Sequence, residues 1–201
     1  MSGGIGVIRT LNTASVPVWQ GTGKDIQLLQ GGCALVITGL VAGRVIPAGT
    51  PLIYDETART ATVLHSGIAY ANAGGAAVAY QVGKNNGFAV GDYLASGTTG
   101  GKAYAITAID TTTSTEYDIL TVGTTIGAVT AGDTLYASTA TGATASALPA
   151  CNGLLYDDAV VAAGTAVSVV IRGTVYARRV VYTTSIAALT GLKNIIYSLS
   201  K

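Results

Sequence analysis

Ionisable side chains are scarce in this chain. Asp, Glu, Lys and Arg make up 10% of its 201 residues, against roughly 25% in an ordinary soluble domain. The formal net charge is +1. That leaves no basic footprint for nucleic acid and no polybasic segment for anionic lipid. There is one histidine, His65. It is the sole imidazole available as a base, no Gly-x-Ser-x-Gly elbow accompanies it, and the His65-Ser66 adjacency is not triad geometry. The acids near it in sequence, Asp55 and Glu56, do not complete a metal-ligand spacing. None of the three Gly-Lys pairs, at Lys24, Lys84 and Lys102, has the upstream Gly or the following Ser/Thr of a phosphate loop. The two cysteines, Cys33 and Cys151, lie far apart without metal-like spacing. They read as small buried hydrophobes, and the sequence leaves a disulfide open. No catalytic residue, metal ligand or cofactor-binding residue is therefore assigned, and the expectation is a chain that is not an enzyme.

Long apolar runs are missing as well. Mean hydropathy is +0.49, yet the longest apolar stretch, residues 33–41, is broken by Thr38 and Gly39, and a spanning helix needs about 20 residues. One Trp and one Phe do not supply the aromatic girdles of a membrane β-barrel, and only the 11 Tyr speak for one. Met1-Ser2-Gly3-Gly4 lacks the basic-then-apolar layout of a signal peptide. The expectation is a chain made in a bacterial cytoplasm, with neither nucleic acid nor membrane as partner. So little net charge favours association, which suits life inside an assembly.

What the chain has is glycine, 27 of 201, and a phrase written three times. The copies are Ile46-Pro47-Ala48-Gly49-Thr50-Pro51-Leu52, Ala89-Val90-Gly91-Asp92-Tyr93-Leu94 and Thr130-Ala131-Gly132-Asp133-Thr134-Leu135. Each is a Gly turn that launches an apolar strand. Asp92 and Asp133 then read as turn carboxylates bonding their own backbone. The adjacent acids Asp55-Glu56 and Asp157-Asp158 offer acid–base or Ca²⁺ chemistry only in principle.

Short β-branched runs bounded by Gly and Asn predict strands almost throughout from residue 29. They fall at residues 34–40, 62–64, 68–71, 76–82, 166–171 and 173–177, with a closing strand at 195–199. Residues 1–28 read as an arm, with a strand at Ile5, Gly6, Val7, Ile8, Arg9 and Thr10 that suits addition to a partner sheet. Residues 83–150 read as an inserted module. Its two halves reach Thr/Gly-rich tips at 96–101 and 138–143. Ile186, Leu189 and Leu192, behind Thr184 or Ser185 as N-cap, predict one short helix near 184–194. Arg178 and Arg179 are the strongest basic spot and suit acids on a partner.

Three stretches carry a resemblance. Residues 163–175, Ala-Gly-Thr-Ala-Val-Ser-Val-Val-Ile-Arg-Gly-Thr-Val, are followed by the helix and Ile195-Ile196-Tyr197-Ser198. This looks like the ending of tailed-bacteriophage head decoration proteins. The Ala48-Gly49-Thr50-Pro51-Leu52 turn resembles the turn near the start of that domain. Asn152-Gly153-Leu154-Leu155-Tyr156-Asp157-Asp158 resembles the element just before its end. The match covers roughly residues 30–82 and 150–199. The middle module is similar to that of longer head-fibre, or auxiliary capsid, proteins of phages infecting gut Bacteroidales.

The resemblance implies an all-β fold: a small β-barrel or sandwich of β-tulip type, with a second β module inserted and one short C-terminal helix. The decoration core would be residues 29–82 plus 151–201. It implies a virion protein on the outer capsid surface, a homotrimer that clamps the major capsid protein and stabilises the expanded head. Ile5, Val7, Ile8 and Thr10 would be the capsid-binding arm, and Arg178, Arg179 and Tyr182 the partner or trimer contacts. The inserted module would project outward, its tips facing host-surface glycans. A non-catalytic carbohydrate-binding or adhesin module is the alternative, with the tyrosines as stacking faces. No cofactor is implied.

Overall fold

The computed structural model describes residues 18–21, 25–84, 86–97, 99–180 and 192–199. The arm residues Ile5, Val7, Ile8 and Thr10, and Tyr182, lie outside them.

The repeated phrase is one turn used three times. Gly49, Gly91 and Gly132 have φ of 80°, 99° and 94°, the conformation that the third position of a type II turn requires. The N–H after each glycine donates to the carbonyl three residues back: Thr50 to Pro47 (3.3 Å), Asp92 to Ala89 (3.2 Å) and Asp133 to Thr130 (3.0 Å). In two copies the Asp carboxylate also accepts the first residue's N–H, Ala89 to Asp92 and Thr130 to Asp133, both at 2.8 Å. The remaining copy begins with Pro47, which has no N–H. There a Thr replaces the Asp, and its hydroxyl donates to the Pro47 carbonyl at 2.6 Å. The same backbone turn recurs at residues 29–32, 37–40, 41–44 and 162–165, around Gly31, Gly39, Gly43 and Gly164. Six of these seven turns feed a strand at the very next residue.

The described residues form strands and no helix. The first sheet holds nine strands: β1 (Trp19–Gln20), β2 (Gln27–Leu28), β3 (Cys33–Val36), β5 (Pro51–Asp55), β6 (Thr60–Val63), β13 (Gly153–Leu155), β15 (Ala166–Val167), β16 (Val169–Tyr176) and β17 (Ile195–Ser198). Their central order is β1-β16-β13-β5-β6-β3-β15, with β17 and β2 also paired to β16. β4 (Val45–Ile46) and β14 (Ala159–Val160) form a separate two-stranded ribbon. Of the helix expected over 184–194, residues 184–191 lie outside the described set. Residues 192–194 form a turn into β17, closed by the Ile195 N–H on the Leu192 carbonyl at 3.1 Å.

This sheet is buried on both faces at its centre. Successive side chains of a strand point to opposite faces, and here each face has its own core. Leu155, Val169, Leu52 and Val63 pack into one. Leu154, Val170, Val175 and Cys151 pack into the other. Two-sided burial is why 153–155 and 169–170 read as continuous apolar runs.

The second sheet runs β7-β12-β9-β10-β11-β8, over Ser66–Ile68, Thr134–Ser138, Tyr93–Ser96, Ala103–Asp110, Tyr117–Val122 and Ala79–Gly83. It wraps a core of Tyr80, Val82, Leu94, Ile106, Leu120 and Leu135. β11 alternates strictly: Asp118, Leu120 and Val122 are buried, while Tyr117, Ile119 and Thr121 face outward. The two edges meet at one bridge, Ala69 with Val82, backed by the Tyr70 N–H on the Gln81 carbonyl at 2.8 Å. A single bridge is not a ladder, and no closed barrel forms. The step between sheets falls at residues 64 and 65. The Leu64 N–H donates to Pro51, and the His65 carbonyl accepts from Ala137. β7 and β8 therefore belong to the second sheet, ahead of the residue-83 boundary that composition suggests. Leu148 packs against both the first sheet's second core and the Ala95–Ala103–Tyr136 cluster of the second sheet.

Candidate interaction surfaces

The chain enters the described fold beside the arginine pair. The Tyr176 N–H donates to the Val18 carbonyl at 2.9 Å, and β1 runs antiparallel to the end of β16, Trp19 opposite Val175. The Trp19 indole N–H donates to the Tyr156 carbonyl at 2.6 Å, and its ring stacks on Tyr156 with centroids 6.0 Å apart. Just beyond β16 the chain turns, the Arg179 N–H closing on the Tyr176 carbonyl at 2.9 Å. That places the Arg179 guanidinium 4.1 Å above the Tyr176 ring, a cation–π contact. Arg178 is exposed. Residues 18–20 and both arginines thus share one corner of the first sheet.

A cleft of about 520 Å³ opens next to that corner, lined by Gln27, Arg172, Thr174, Asn194 and Ile196 among others. It sits at an irregularity in the β2–β16 ladder between Val170 and Arg172. Its walls hold the Asp25 carboxylate, one guanidinium, two amides and a hydroxyl, a set that binds polar groups.

The titratable groups are paired for structure. His65 Nδ1 lies 2.8 Å from Asp92 Oδ2, the same oxygen that accepts the Ala89 N–H. One carboxylate therefore closes a turn and holds the imidazole at the step between sheets. The sequence offered Asp55 and Glu56 as neighbours of His65, and the true partner lies 27 residues on. Its position in the repeated turn was the one available signal. Asp118, nearly buried, accepts from Lys84 Nζ (2.6 Å) and Asn86 Nδ2 (2.7 Å). Among the described residues no three His, Cys, Asp or Glu side chains gather as for a metal ion. Cys33 and Cys151 are both free and buried. Burial pushes the Cys151 thiol up to about 12 and raises that of Cys33 as well.

The two Thr/Gly tips of the second sheet are not independent loops. The Gly100 and Gly101 N–H groups donate to the Ser146 carbonyl and hydroxyl, both at 2.7 Å. Ala103 and Gly142 exchange both backbone bonds at 2.9 Å. The Ser138 hydroxyl accepts from Ala140 and Ala147 and donates to Ala140. The tips form one laced surface.

Two further patches were not legible in the sequence. On the β4–β14 ribbon, Val45 faces Val160, and both are about half exposed, at 49% and 51%. Val41, in the turn leading to β4, is 65% exposed. On the second sheet, Tyr70 and Tyr117 stack with ring centroids 4.9 Å apart, tilted by 33°. The Tyr70 hydroxyl donates to the Glu116 carboxylate. That hydrogen bond, together with the carboxylate's charge, raises the Tyr70 phenol above its ordinary value.

Comparison with protein-family models, with curated proteins and with solved structures finds no match for this chain.

Proposed function

We propose that this chain is a structural virion protein that binds the outer surface of a bacteriophage capsid as a homotrimer and stabilises the expanded head. The observation that carries the reading is the apolar ribbon. Val45 and Val160 expose hydrophobic surface on the two-stranded element, Val41 extends it in the turn before β4, and exposed apolar patches mark contact sites. The resemblance at residues 163–175, 46–52 and 152–158 supplies the kind of assembly. The corner where residue 18 meets Arg178 and Arg179 suits an arm that reaches a neighbouring capsid subunit while guanidinium groups pair with its acids. A rigid all-β body with little net charge suits dense packing of many copies.

The test is the solution mass by light scattering, followed by co-sedimentation with expanded heads. The monomer is 20.1 kDa, and closed symmetry predicts a simple multiple, about 60 kDa for a trimer. A stable trimer that binds expanded heads supports the reading. A chain that stays monomeric at high concentration and does not bind heads overturns it.

The second reading is a non-catalytic glycan-binding module. The pair of exposed Tyr70 and half-buried Tyr117 beside Glu116 favours it, and it is compatible with a capsid-borne protein whose second sheet points toward the host.

A further inference from the structure

We propose that the outer face of β8 and β11 is a saccharide-binding platform, in which the Tyr117 and Tyr70 rings carry the C–H face of a pyranose and the Glu116 carboxylate accepts its hydroxyls. The proposal rests on the glycan-binding reading above and is independent of the capsid reading.

The platform is built rather than incidental. Tyr117 lies opposite Gly83 across the ladder, so no cross-strand side chain competes with Tyr70 for the ring. Tyr70 leans in from beyond β7 and stacks on Tyr117, with its own N–H tied to the Gln81 carbonyl at 2.8 Å. Glu116 is pinned at three points. Its N–H donates to the Ser114 hydroxyl (3.1 Å), its carbonyl accepts the Lys84 N–H (3.0 Å), and its carboxylate accepts the Tyr70 hydroxyl. Such pinning removes the ordering cost that usually weakens a surface contact. A carboxylate offers about four acceptor positions, and Tyr70 occupies one. The rest stay open beside an aromatic surface, since Glu116 is exposed and Tyr70 is 46% exposed.

The chemistry of the surroundings selects a neutral polyol. A cationic peptide would call for several acids with open oxygens, and the acids beside Glu116 are engaged. Asp118 is buried under Lys84 and Asn86. Asp110, opposite Ile119 on the next strand, has its oxygens occupied by the hydroxyl and backbone donors of Thr112 and Thr113. A pyranose needs an aromatic ring whose electron-rich face meets its slightly positive C–H groups, and acceptors for its hydroxyls. Both are present within one patch.

The full-length chain is titrated with cellohexaose, maltohexaose and mannohexaose, with tetralysine alongside, and read by saturation-transfer NMR. At least one hexasaccharide should receive saturation at its ring-face protons. Tyr117→Ala should weaken that binding by about tenfold, the scale of one stacked ring. Glu116→Gln should weaken it several-fold, and Tyr117→Phe should retain it. Tyr117→Phe also controls for folding, since it keeps the ring in the β8–β11 ladder. If a saccharide binds equally to Tyr117→Ala and Glu116→Gln, the platform is overturned while glycan binding survives elsewhere, the laced tips at 96–101 and 138–143 being next. If no saccharide binds, both fall. If tetralysine alone binds and Glu116→Gln abolishes it, a cationic-peptide site replaces the proposal.

Discussion

Single atoms decide several positions in this chain. A Cβ at Gly153 would sit 2.3 Å from Val169 Cγ1 and 3.2 Å from the Val170 carbonyl, inside the first sheet's double core. Gly153→Ala must push apart two buried strands, and overpacking of this kind costs about 1–3 kcal/mol. The expected outcome is a lowered urea midpoint with an unchanged slope. The repeated turn gives a sharper test. Thr50 is 1% exposed, and Pro47 has no N–H to offer a carboxylate. Thr50→Asp should therefore be destabilising by about 1–3 kcal/mol, the cost of an unsatisfied buried group. Pro47→Ala added to it restores the donor that Ala89 and Thr130 provide in the other copies. The double variant should recover part of the loss, and simple additivity in the double-mutant cycle would sink this account of the turn.

At the scale of elements, the launch turns differ in what stands behind them. The glycines at 91 and 132 have nothing within 4 Å of an added Cβ, so alanine there meets only the left-handed backbone cost of about 1–2 kcal/mol. Gly49 is different. Its added Cβ would lie 2.8 Å from Val180 and 2.9 Å from Val18, where the chain leads into β1. Gly49→Ala should lower the thermal midpoint more than Gly132→Ala does. Equal effects would mean that Val18 and Val180 are not packed under that turn. Asp92→Ala should likewise cost more than Asp133→Ala, because Asp92 also holds His65 where the chain steps from one sheet to the other.

For the whole molecule, the first sheet's second core sets an alkaline limit. Cys151 and Tyr197 pack together there. Burial pushes the thiol from 9.0 to about 12, and burial plus the nearby thiol pushes the phenol from 10.0 to about 12. Both groups are neutral in the native core and become anions. Their contribution is complete below the ordinary values and is lost as pH rises toward about 12. The denaturation midpoint should hold steady to about pH 9 and fall from there. Cys151→Ala should soften the first part of the fall. In the native protein at pH 8, Cys151 should not react with Ellman's reagent until the chain unfolds.

Local chemistry determined the β character of this chain. Gly, Asn and β-branched residues act within a few positions, so the repeated launch turn, the strands it feeds and the Asp roles at 92 and 133 were all legible. Four more copies of the turn were not, because residues 29–32, 37–40, 41–44 and 162–165 share its backbone without the Gly-(Thr/Asp)-x-Leu spelling, and backbone geometry depends on glycine alone. Tertiary structure alone decided the rest. The assignment of β7 and β8 to the second sheet, the His65–Asp92 contact and the meeting of Tyr70, Tyr117 and Glu116 all join residues tens of positions apart. The outward face of a strand is set by what packs beneath it, and no window along the sequence contains that neighbour.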